Sequence, residues 1–123
     1  MKVLIVDDNE ALTGLLKEIL EMEKDYHVNT AEDGEEGYTA FLRFDPDIIL
    51  TDIDMPVKNG LEMIRDIRKH NPEIKTIYMS ADLNRYQTIL EEEKTRYKAH
   101  LLNKPFTSSG MMGLFHGYQQ EVG

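Results

Sequence analysis

The 123-residue chain contains no cysteine. Neither a disulfide framework nor a thiolate metal site can form, and sulfur redox chemistry is closed apart from methionine. Long hydrophobic runs are missing too: nothing approaches the ~20 apolar residues of a membrane helix. The opening Met1 to Val6 stretch is far too short for the core of a secretory leader. A cytoplasmic protein with no membrane partner is therefore expected. Positive charge is scarce, with 14 Lys and Arg against 23 Asp and Glu and a formal net charge of -9. Such a surface repels phosphates instead of releasing their counterions, which excludes nonspecific binding to nucleic acid or anionic lipid. Any DNA-binding role belongs to another chain or domain. No internal repeat, low-complexity tract or linker divides the chain. Apolar residues (41%) and charged residues (30%) are spread along its whole length, which suits one compact domain over residues 1–123 and leaves no room for two.

Short apolar runs alternate with amphipathic stretches. Val3-Leu4-Ile5-Val6 is β-branched and ends at Asp7-Asp8, as a strand buried on both faces does at its exposed edge. Leu12, Leu15, Leu16, Ile19 and Leu20 then recur at helical spacing, so the stretch from Asn9 to Lys24 reads as a helix. Tyr26 to Ala31 has strand character, and a second helix places Tyr38, Phe41 and Leu42 on one face before Asp45-Pro46 stops it. Ile48-Ile49-Leu50 makes a third strand. Pro56 and Asn59-Gly60 mark a loop, and Leu61, Ile64 and Ile67 a helical face. Thr76 to Ser80 is a fourth strand, followed by a less regular helix with Leu83, Tyr86 and Leu90. A brief strand from His100 to Asn103 precedes a last helix carrying Met111, Leu114, Phe115 and Tyr118, an apolar stripe suited to packing on the domain's own sheet. Gly110, Gly113 and Gly117 weaken that helix by ~1 kcal/mol each relative to alanine, so a short or locally soft element is expected. Five βα units in strict alternation imply an α/β fold, a doubly wound parallel sheet covered by helices on both faces. Its ligands bind beyond the carboxyl ends of the strands.

That edge collects Asp7 and Asp8 after the first strand, Asp52 after the third, Ser80 after the fourth and Lys104 after the fifth. Three gathered carboxylates resist ionisation unless a hard cation with oxygen ligands sits among them, and Mg²⁺ answers that need. A carboxylate nucleophile, a metal, an ammonium and a hydroxyl each handle a different part of the charge that develops on a transferring phosphoryl group. Asp52, Lys104 and Ser80 fit those parts. The four histidines, His27, His70, His100 and His116, have no metal-ligand spacing and are assigned surface or packing roles. Glu91-Glu92-Glu93-Lys94 reads as a solvated helix face.

The ordered set resembles the receiver domain of the two-component response regulators over essentially the whole chain. The resemblance rests on the acidic pair, on Asp52-Ile53-Asp54-Met55-Pro56 followed by Asn59-Gly60, on Ser80-Ala81 and on Lys104-Pro105-Phe106. It implies the flavodoxin-like strand order 2-1-3-4-5, for which such a receiver is itself a worked example. It also implies a phosphoryl group taken on Asp52 from a histidine kinase or phosphotransfer protein. Asp8 and Asp52 would ligate Mg²⁺ with the backbone carbonyl of Asp54, Asp7 acting mostly through water, while Ser80 and Lys104 hold the phosphoryl oxygens. Asp54 and Asp82 occupy positions that flank the phosphoryl group and influence its lifetime. Signalling, including pairing with a second receiver or an effector domain, would run through the surface of the fourth helix, fifth strand and fifth helix.

Two departures stand out. The switch position three residues before the lysine, usually Tyr or Phe, is Leu101, so a response without an aromatic rotamer switch is expected. The segment Lys94 to Ala99 lacks the usual glycine-containing turn. Three other functions compete. Asp52-Ile53-Asp54 matches the nucleophile and acid pair of haloacid-dehalogenase-type hydrolases, but their acidic metal pair comes late in the chain and here it comes first. A flavodoxin needs a phosphate-cradling loop after the first strand, where this chain has two acids. A phosphorylation-independent interaction module on the same fold is the third.

Overall fold

The computed structural model describes residues 1–122, with side chains as far as residue 119. In chain order the elements are β1 (Lys2–Val6), α1 (Glu10–Glu21), β2 (His27–Ala31), α2 (Gly34–Phe44), β3 (Ile48–Asp52), α3 (Gly60–Ile67), β4 (Lys75–Ser80), a 3-10 turn (Leu83–Tyr86), α4 (Gln87–Tyr97), β5 (His100–Asn103) and α5 (Ser108–Val122). All strand pairs are parallel, in the order β2-β1-β3-β4-β5. The doubly wound sheet and the 2-1-3-4-5 order expected above are therefore both present.

Period-two alternation splits the core into two layers. Val3 and Ile5 of β1 join Ile48, Leu50, Ile77 and Met79 beneath α1 and α5. Leu4 and Val6 face the other way, with Ile49 and Tyr78, beneath α2, α3 and α4. Each fully buried aliphatic side chain contributes about 1.5–3 kcal/mol, so the central strands, shielded on both faces, hold most of the stability.

Capping fixes where the helices begin. Asn9 accepts from the Leu12 amide and starts α1 one residue later than its apolar spacing suggests, and the helix ends at Glu21, short of Lys24. Asn59 and Glu62 form a reciprocal capping box on α3. On α2 the expected apolar face is narrower than Tyr38, Phe41 and Leu42: Phe41 is buried, Tyr38 partly so, and Leu42 lies exposed. Adjacent helical residues point ~100° apart, so Phe41 and Leu42 do not share the sheet-facing stripe. The last helix is continuous despite its glycines, because Met111, Phe115 and Tyr118 are buried on its sheet-facing side. The glycine-free turn before β5 is made by Lys98, which caps α4 in the left-handed region at φ 56.

Candidate functional site at the carboxyl edge of the sheet

Asp7 leaves β1 with its amide donating to the Ala31 carbonyl (3.1 Å), and its carboxylate accepts from the Asn9 amide (3.0 Å). These bonds turn the chain into α1, leaving Asp7 buried and Asp8 exposed. Asp52 is the last residue of β3, paired in register with Met79 of β4. Its carbonyl accepts from the Thr51 hydroxyl at 2.8 Å. The start of α3 packs directly on this carbonyl: a Cβ on Gly60 would lie 2.2 Å from it, so only glycine fits. Ser80 closes β4, is buried, and its hydroxyl oxygen accepts from the Asp82 amide at 3.0 Å. The Lys104 amide donates to the Ser80 carbonyl at 2.8 Å, and the peptide bond into Pro105 is cis. Thus Asp7, Asp8, Asp52, Ser80 and Lys104 are gathered at one edge.

The electrostatics of this edge are unbalanced. Carboxylate oxygens of Asp7, Asp8 and Asp52 lie within 4.8 Å of one another. The Lys104 ammonium reaches only two of these groups, at 2.7 Å from Asp7 and 3.3 Å from Asp52. Burial, reinforced by the charge of Asp7, pushes the Asp52 carboxyl up to about 6 even though Lys104 pulls it down. Burial alone lowers Lys104, but its hydrogen bond to Asp7 and the charge of Asp52 outweigh that and hold it above its ordinary value. Three carboxylates facing a single ammonium keep excess negative charge, and their oxygens form a donor set that suits a hard divalent cation keeping part of its water shell.

Asp54 and Asp82 are both exposed and already engaged. Asp54 accepts a hydrogen bond from the Tyr86 hydroxyl and lies 3.8 Å from the Arg85 guanidinium. Asp82 caps the 3-10 turn, accepting from the Arg85 amide at 3.3 Å. Leu101 is half-buried and packs into the layer beneath α4. His100 points to the opposite face, its ring 5.0 Å from that of Tyr118.

The family model for the response regulator receiver domain matches residues 3–114, most of the chain and all of the acidic edge. The chain belongs to this family. Protein CcdB of Bacillus subtilis is 33% identical over 90% of this chain and 91% of its own length. The chemotaxis protein CheY of Halobacterium salinarum is 31% identical over 90% of each. Among solved structures, response regulator protein TrrA of Thermotoga maritima in complex with Mg(2+)-BeF aligns with TM-score 0.79 and 30% identity, covering 94% of this chain and 96% of that one. A receiver domain is a signalling module of two-component systems and not an enzyme of the usual kind. Receivers bind Mg²⁺ in an acidic pocket, and they work with histidine kinases and effector domains. Among the described residues no helix is long and apolar enough to cross a membrane.

Sequence reasoning missed one polar network in this receiver. Glu93, read above as part of a solvated face, is only 8% exposed. Its carboxylate receives both terminal nitrogens of Arg68 (2.8 and 2.6 Å) and the Tyr78 hydroxyl (2.6 Å). Arg68 also stacks on Tyr97, its guanidinium carbon 3.5 Å from the ring centroid. Burial, followed by the Glu93 charge, drives the Tyr78 hydroxyl far above its ordinary range, so it stays a donor. The neighbours Glu91, Glu92 and Lys94 are exposed as expected. Nothing in the spacing of a Glu-rich run marks its third member as buried. A tyrosine in the middle of a strand that parallel neighbours cover was the available signal, because a buried hydroxyl requires a partner.

Proposed function

We propose that residues 1–123 act as one receiver domain whose Asp52 takes a phosphoryl group from a histidine kinase or phosphotransfer protein. The observation that carries this is Asp52 itself: buried, raised to about 6, and 3.3 Å from Lys104. A carboxyl at about 6 is largely ionised at neutral pH, yet its negative charge is poorly compensated, which favours bonding to an electrophile. A carboxylate oxygen of Asp52 bonds to phosphorus as the bond between phosphorus and the donor's imidazole nitrogen breaks. The imidazole keeps that electron pair and is protonated from solvent. Lys104 and the Ser80 hydroxyl receive the phosphoryl oxygens. Asp8, Asp52 and the Asp54 carbonyl would hold Mg²⁺, with Asp7 acting through water. When bound, the ion neutralises charge on the phosphoryl oxygens.

Hydrolysis undoes the transfer: water attacks phosphorus, the bond from phosphorus to the Asp52 oxygen breaks, the carboxylate keeps that electron pair, and phosphate leaves carrying the protons of the water. This makes the chain an assistant in its own dephosphorylation, with Asp54 and Asp82 setting the rate of water entry. The output runs through the surface of α4, β5 and α5, where Leu101 offers no ring to rotate, toward a second receiver or an effector domain. The proposal includes a cytoplasmic setting, and no direct contact with nucleic acid or membrane.

Incubation with acetyl phosphate and Mg²⁺, read by intact mass, tests the acceptor. The wild type gains one phosphoryl group and Asp52→Asn gains none. Labelling of that variant on Asp54 would move the nucleophile and refute this assignment.

A further inference from the structure

We propose that Tyr86, helped by Arg85, is the switch residue of this receiver: a latch on Asp54 that transfers to the phosphoryl group and carries the start of α4 with it. The inference rests on the reading of Asp52 as phosphoacceptor. Leu101 vacates the position where an aromatic ring would report the event, yet a phenol stands at the same edge on another element. The Tyr86 hydroxyl donates to Asp54, two residues beyond Asp52, and the Arg85 guanidinium lies 3.8 Å from the same oxygen and 5.5 Å from the centre of the Tyr86 ring. Both residues belong to the 3-10 turn that runs directly into α4 at Gln87, so a displacement of the turn displaces the first turn of the helix.

The helix has a second anchor of a different kind. Its later half is held by Glu93, buried against Tyr78 and Arg68, whereas the contacts to Asp54 are exposed. One end is therefore a pivot and the other a releasable latch. A phosphoryl group carries about -1.5 to -2 charge and three strong acceptor oxygens, against the single charge of Asp54. The phenol and guanidinium exchange one acceptor for a stronger one nearby. The number of hydrogen bonds is kept, and the gain in charge drives the exchange. Loop 81–86 moves toward Asp52 and α4 turns about Glu93.

Beryllofluoride with Mg²⁺ is the probe, with its occupancy read by fluorine NMR and the chain mapped by hydrogen exchange. In the wild type, amides of residues 83–90 gain protection when the mimic binds. Tyr86→Phe keeps the ring and its packing but loses the donor: it binds the mimic more weakly, and at saturating mimic it still responds in residues 53–60 while the gain over 83–90 disappears. Arg85→Gln, an exposed second variant, reduces that gain. A full wild-type gain in Tyr86→Phe, with the mimic bound, overturns the latch and leaves the Asp52 reading intact. Failure of the wild type to bind the mimic overturns both.

Discussion

Removing the charge of Asp52 should stabilise the folded protein, and the size of the effect follows from its setting. The carboxyl is raised from 3.8 to about 6 by burial and by Asp7. The sign is set by the fold holding the proton more tightly than the unfolded chain does. The ionised carboxylate therefore costs stability, a cost that is absent below about pH 3.8 and complete above about pH 6. A shift of about two pK units corresponds to roughly 3 kcal/mol at pH 8 and under ~1 kcal/mol at pH 4. Asp52→Asn, neutral at every pH, should then be more stable than the wild type by up to that amount at pH 8, or roughly 10 °C in Tm for a chain of this size. At pH 4 the two proteins should melt nearly together. Added Mg²⁺ should narrow the gap at pH 8 by stabilising only the wild type, since a ligand that prefers the folded state stabilises it by mass action. Calorimetry at the two pH values, with and without the ion, measures all four quantities. A gap independent of pH, or a variant less stable than the wild type at pH 8, would refute the claim that unrelieved carboxylate charge dominates this edge.

Other substitutions probe the supporting structure. Glu93→Ala leaves Arg68 and the Tyr78 hydroxyl buried without their acceptor, so urea denaturation should show a loss of about 3 kcal/mol or more. The surface neighbour Glu92→Ala should change stability by less than ~0.5 kcal/mol in the same assay. Val57 holds φ at 70 although it is β-branched and exposed. Val57→Gly should raise stability by about 1 kcal/mol, the left-handed penalty less the extra entropy glycine loses on folding. Gly60→Ala places a Cβ against the Asp52 carbonyl, and should cost about 2 kcal/mol while slowing phosphorylation by acetyl phosphate; labelling at the wild-type rate would show that α3 yields without moving Asp52.

The alternation of short apolar runs with amphipathic stretches was sufficient to place five strands and their helices, because burial on two faces leaves a period that survives in one dimension. The residues at the strand ends were legible for the same reason: once Val6, Asp52, Ser80 and Asn103 terminate parallel strands, the side chains at or after them must share an edge. The limits of each helix were less legible. Asn9 and Asn59 begin helices by side-chain hydrogen bonds that apolar spacing does not encode, and Phe41 and Leu42 look equivalent until the sheet selects one of them.

What the sequence by itself determined is the parallel α/β architecture and the set of groups gathered at its carboxyl edge. Only the tertiary structure decided how those groups divide their charge: Lys104 is nearer to Asp7 than to Asp52, and Asp54 is tied to Tyr86. It alone took Glu93 out of a charged run and buried it against Tyr78 and Arg68, 15 and 25 residues away in the chain. The physical reason is range. Periodicity records which side of an element is dry, whereas the partner of a charge is fixed by distances between elements that no local pattern carries.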